Sequence, residues 1–113
     1  MNNATRQMIE RGIAKHVVRA AIEAGYTVSL FAGGKWTVKR SRKVSEIVGA
    51  MFTVNAESLE IRNNKGGLIG TVLMVYGKGM GLDAVSDRTA TETMDELLRA
   101  ADEYACHAEF TYC

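Results

Sequence analysis

A chain of 113 residues, 47% apolar and 24% charged with a formal net charge of +1, reads as one domain spanning 1–113. Domains typically run to about 100–150 residues, and a split would leave two pieces too small for cores of their own. Its longest apolar run, Leu68 to Tyr76, falls well short of the ~20 residues that cross a bilayer, and the opening Met-Asn-Asn-Ala-Thr-Arg-Gln lacks the apolar centre of a signal peptide, so a cytoplasmic protein with no membrane contact is expected.

From about Thr5 to Ala24 the residues Ile9, Ile13, Val17, Ala20 and Ala24 recur at helical spacing, and Gly25 stands where a left-handed cap would end the helix. Arg11, Lys15 and Arg19 fall four apart on that helix and form a basic stripe; His16 lacks a second His one turn away and reads as a boundary residue. Tyr26 to Phe31 and Trp36 to Arg40 both alternate around Gly33-Gly34, a β-hairpin in which Tyr26, Val28 and Leu30 would share a face with Trp36 and Val38. Trp36 is then a core or edge-of-core aromatic.

A short helix from about Arg42 to Phe52 follows, with Val44, Ile47, Val48 and Met51 inward and Ser41 as its N-cap. Arg42 and Lys43 would sit in its first turn, where the helix dipole prefers acids, and Lys39 and Arg40 precede them. Four cations thus converge on free backbone N–H groups. Glu57 to Arg62 alternates with Leu59 and Ile61 inward, and Asn63-Asn-Lys-Gly-Gly67 is a turn that pairs this strand antiparallel with the next.

That next strand, Leu68 to Tyr76, carries apolar residues on both faces. Period-two counting puts Ile69, Thr71, Leu73 and Val75 on one side and Leu68, Val72, Met74 and Tyr76 on the other, so it reads as the central strand with helices covering both faces. Gly77-Lys-Gly-Met-Gly81 turns the chain into a third strand over Leu82 to Asp87. Thr89-Ala-Thr-Glu92 has a capping-box pattern, and Met94, Leu97, Leu98, Ala101 and Ala105 give the last helix its stripe. The tail His107 to Cys113 alternates weakly and suits a frayed end, an edge strand or a contact to a second copy. The order α-β-β-α-β-β-β-α with mostly short connections predicts an α+β fold, an antiparallel sheet of four or five strands with helices packed on it.

Reaction chemistry finds little foothold. Around Lys78 the spacing of a phosphate loop is missing, because no Gly stands five residues before Gly77 and no Ser or Thr follows the lysine. Cys106, His107 and Cys113 supply two soft thiols and an imidazole where a structural zinc site takes four ligands in short pairs, and the two cysteines read as reduced thiols. Glu57 with Glu60, and Asp83 with Asp87, read as surface-facing pairs with nothing to desolvate them, and no nucleophile with a matched base is visible. The expectation is a protein that is not an enzyme and needs no cofactor or metal.

Charge is distributed unevenly. Up to Leu82 there are twelve Lys or Arg against five Asp or Glu, and from Asp83 onward two against eight. Such polarity suits steering of a charged partner, or head-to-tail pairing with a second copy as a homodimer. The candidate contact residues are Lys35, Trp36, Lys39, Arg40, Arg42 and Lys43, joined by Arg11, Lys15 and Arg19 where the first helix packs nearby. They would meet an acidic protein surface or nucleic-acid phosphates, set against the plainer role of lysines that keep a sheet edge soluble.

The stretch Ala-Lys-His-Val-Val-Arg-Ala-Ala-Ile-Glu-Ala-Gly-Tyr-Thr-Val leading into the hairpin, and Gly-Leu-Asp-Ala-Val-Ser-Asp leading toward the last helix, resemble small accessory proteins of bacteriophages and related mobile elements. That resemblance carries no site residues. It implies a protein acting stoichiometrically, by binding a host or phage protein through a charged surface, including components of defence systems. The alternative is a nucleic-acid binder that uses the Lys35 to Lys43 cluster.

Overall fold

The computed structural model describes residues 3–77 and 81–112. Eight elements follow in the expected order: α1 (Asn3–Glu23), β1 (Thr27–Ala32), β2 (Lys35–Ser41), α2 (Val44–Ala50), β3 (Ala56–Arg62), β4 (Leu68–Val75), β5 (Val85–Arg88) and α3 (Glu92–Tyr112). The strands form one antiparallel sheet in the order β2-β1-β3-β4-β5. The fold is therefore α+β, as the pattern of elements predicts.

Helix α1 buries Ile9, Ile13, Ala14, Val17, Val18 and Ala21, and each large aliphatic side chain so buried contributes roughly 1.5–3 kcal/mol. It ends at Gly25, whose φ of 87° is the left-handed cap. Gly25 N–H reaches Ile22 O and Tyr26 N–H reaches Ala21 O, both at 3.0 Å, the paired bonds of a Schellman end. Gly33 and Gly34, at φ 63° and 80°, supply the two positive torsions of a two-residue hairpin turn. Asn63 closes the β3–β4 turn, its Oδ1 accepting the N–H groups of Lys65 (2.9 Å) and Gly67 (2.8 Å).

All three helices lie on one side of the sheet. Val28, Leu30, Val38, Leu59, Ile61, Val72 and Met74 point into a single core with the inner faces of α1, α2 and α3. This corrects the expectation of cover on both faces. The central strand is β3, with β4 one position outward, and Thr71 and Leu73 of β4 are open to solvent. An apolar composition on both sides of β4 suggests two-sided burial, yet among the described residues no element is left to cover the second side.

Local departures have identifiable causes. Helix α2 is seven residues long, and Lys43, with no side-chain cap, holds its N-cap position. Ser41 ends β2 instead, its Oγ accepting the Lys43 N–H at 3.1 Å. The capping signal before α3 shifts by two residues: Thr91 Oγ1 accepts the Met94 N–H (3.2 Å), while Thr89 Oγ1 accepts the Thr71 N–H (3.0 Å) and ties the connection between β5 and α3 to β4. Leu82 to Ala84 precede the last strand, which starts at Val85. The tail from His107 continues α3 and forms no strand. Of the segments read as a glycine loop and a cysteine tail, Lys78, Gly79, Met80 and Cys113 lie outside the described residues.

Candidate functional site

The uncovered face of the sheet carries a row of side chains that runs through all five strands. Trp36 pairs with Phe31, Phe31 with Ser58, Ser58 with Leu73 and Leu73 with Asp87. At about 4.8 Å between strands, the row is roughly 19 Å wide. Trp36 reaches this face because β2 is bulged. Val38 opposes Leu30 and points inward, but Trp36 opposes Phe31, so Thr37 is an extra residue, its Oγ1 donating to Leu30 O at 3.3 Å. That extra residue inverts the face assignment made from simple alternation, and Trp36 is not a core aromatic. It is 42% exposed, and its ring meets that of Phe31 (36% exposed) edge-on, centroids 5.2 Å apart and planes at 69°.

A second irregularity in β2 places the cations. Between Val28 and Leu30 the partner strand again carries one residue too many. Arg40 takes up the slack at φ 45°, with its N–H held by the nearly buried Ser29 hydroxyl at 2.8 Å. Trp36, Lys39, Arg40, Arg62, Glu60 and Ser29 then line one shallow recess of about 340 Å³. Arg62 is anchored by Glu60 Oε1 (2.6 Å) and by Gly66 O (2.8 Å), and the Arg40 guanidinium lies beside Gly66. Lys39 and Arg40 therefore stand with the Glu60-paired Arg62 around the recess that Trp36 borders, while Lys35 is exposed at the hairpin turn, in register with the inward-facing Ala32.

The remaining predicted contact residues lie elsewhere. Arg42 donates to Gly25 O at 3.2 Å and so braces the end of α1. Lys43 is exposed at the start of α2, and Arg19 is exposed on α1. Arg11 and Lys15 border a separate groove against α2 with Val48, Gly49, Met51 and Phe52, the Arg11 guanidinium standing 5.3 Å above the Phe52 ring. The expected convergence of four cations on the start of α2 does not occur, because Arg42 turns toward α1 while Lys39 and Arg40 belong to the open face. Ser29, Glu60 and Arg62 are the members of the recess outside the predicted contact set, Arg62 being its one further cation. The parity of Arg62, opposite to that of Ile61, was the available signal.

A buried polar cluster was also missed. Glu57, expected on the surface, is buried, its Oε2 accepting the Tyr76 hydroxyl (2.6 Å) and the Phe52 N–H (3.2 Å) while Oε1 has no hydrogen-bond partner among the described residues. Burial raises the Glu57 pKa above the usual carboxylate value, against the opposing pull of the Tyr76 and Phe52 hydrogen bonds. Burial, then the bond to Glu57 and the nearby carboxylate charges of Glu57 and Glu10, push the Tyr76 phenol upward. Phe52 holds a strained φ of 71°. Glu10, also buried, accepts the Gly77 N–H at 2.7 Å and pairs with Arg6 at 3.8 Å. Glu10, Tyr76 and Phe52 help line a cavity of about 150 Å³. The cluster fastens the start of α1 to the end of β4.

Among the described residues no helix is long and apolar enough to cross a membrane, and no three His, Cys, Asp or Glu side chains gather as a metal site. No protein-family model matches the chain, and no curated protein or solved structure matches it either, so the geometry of the open face and its recess carries the functional reading by itself.

Proposed function

We propose that this chain is a non-catalytic binding protein that takes nucleic acid on the open face of its sheet. The observation that carries this reading is the gathering of Lys39, Arg40 and Trp36, beside the Glu60-paired Arg62, around one recess on a surface that no helix covers among the described residues. Phosphate contacts dominate such binding and make it fall linearly with salt on logarithmic axes. Fluorescence anisotropy with labelled oligonucleotides at rising salt tests the proposal. Arg40→Ala or Lys39→Ala should weaken binding about equally for all sequences, each reducing the salt slope by roughly one. No anisotropy change at low salt defeats the reading.

A second reading is supported by Arg11 and Lys15 flanking their own apolar-floored groove. In it the chain is a phage or mobile-element accessory protein that docks an acidic host or phage protein there. Pull-down from host lysate with the wild type and with Arg11→Glu/Lys15→Glu separates the two. A partner that disappears with the double variant favours docking, and an empty pull-down from a chain that binds nucleic acid at moderate salt removes it.

A further inference from the structure

We infer that the strand received by the open face is single, with one base seated in the corner between the Phe31 and Trp36 rings and its flanking phosphates on Lys39 and Arg40; this rests on the nucleic-acid reading above and narrows it.

Two rings at 69° with centroids 5.2 Å apart form a wall and a floor. A flat base stacks on one ring while its rim meets the other, an arrangement open to any base because every base has a π-face. In a duplex those faces are occupied by neighbouring pairs. Base edges there are read by an element narrow enough to enter a groove, and a sheet face five strands wide is not one.

The surrounding charges orient the strand. Glu60 and Arg62, paired at 2.6 Å, cancel each other's charge on the β3 side of the recess. Lys39 and Arg40 stand toward β2, so the backbone tracks along the hairpin edge with the base turned inward. The bulge at Arg40, its backbone N–H held by Ser29 at 2.8 Å, is what sets this side chain beside the recess. The outward turn of Trp36 is itself built by the Thr37 bulge, without which alternation would carry the ring to the helix side.

Trp36 is the one tryptophan of the sequence, so its emission reports on the corner directly. The wild-type chain is titrated at low salt with oligothymidylate of about twelve residues and with a duplex of the same length, a span typical of single-strand sites. The expected result is saturable quenching by the single strand, with the duplex bound at least tenfold more weakly and leaving the emission unchanged. Phe31→Ala, followed by anisotropy of labelled oligothymidylate, should weaken binding roughly five- to 150-fold, the range that loss of a base–aromatic stack produces. Oligouridylate binding as well as oligothymidylate also fits, since stacking ignores the sugar. Equal affinity for duplex, or single-strand binding with unquenched Trp36, overturns the stacked-base inference while leaving phosphate contact intact. Absence of binding to either probe removes both.

Discussion

At the scale of single residues, Glu57 shows how a carboxylate becomes part of a core. It shares the parity of Leu59 and Ile61 along β3, so alternation already placed it inward, and only its polarity argued otherwise. The fold satisfies one oxygen with Tyr76 and Phe52 and leaves the other bare. Because its folded-state pKa is raised above 4.5, the native chain holds more protons than the unfolded chain just above that pH. Stability must then fall as pH rises through this window. Glu57→Gln retains an acceptor and removes the ionisation. Thermal melts should show the wild type losing ground to the variant as pH increases from about 4.5 toward neutrality, the two converging in acid. A pH-independent gap would mean that desolvation does not dominate.

Two helical glycines give a matched comparison. A Cβ at Gly12 would run into the Tyr104 ring, itself stacked on His16 with centroids 4.8 Å apart, whereas a Cβ at Gly49 meets nothing within 4 Å. Gly49→Ala in α2 should therefore gain up to about 1 kcal/mol from helix propensity. Gly12→Ala should forfeit that gain and lose roughly 1–3 kcal/mol by overpacking the α1–α3 contact. Urea unfolding of both variants checks the opposite signs.

At the scale of elements, most of the architecture could be read from periodicity because it depends on repeated local signals. The stripe of α1 with its glycine cap, the Gly33-Gly34 turn and the Asn63 turn each specify their own geometry. What could not be read was where alternation breaks. The bulges at Thr37 and Arg40 each insert a residue without a sequence marker such as glycine, and one inserted residue exchanges every later side chain between faces. The aromatic corner and its cations consequently looked like part of a core and part of a helix start. Arg42 and Lys43 looked helical for a related reason: propensity sets a helix end only to within a residue or two, and here the chain stays extended through Ser41.

At the scale of the whole molecule, the decisive fact is one-sided cover. Five strands are cushioned by three helices on one face, and the other faces water with Phe31, Trp36 and Leu73 on it. Neighbouring residues of β4 should therefore respond very differently to charge. Leu73→Lys should change unfolding free energy by no more than about 1 kcal/mol, as surface substitutions do. Val72→Lys, which puts an unpaired ammonium into the core, should cost several kcal/mol or prevent folding. Circular dichroism and urea titration distinguish the outcomes, and comparable losses at both positions would contradict an open face.

The two rims of that sheet have a consequence for behaviour in solution. β2 is kinked twice along its length, and β5 offers only four residues, so neither margin presents a straight ladder of free amide groups to an incoming chain. Runaway stacking into fibrils is thereby discouraged even though aromatic surface is left bare. A concentrated sample should stay clear, remain silent to amyloid dyes, and associate only through reversible side-chain contacts that dilution undoes.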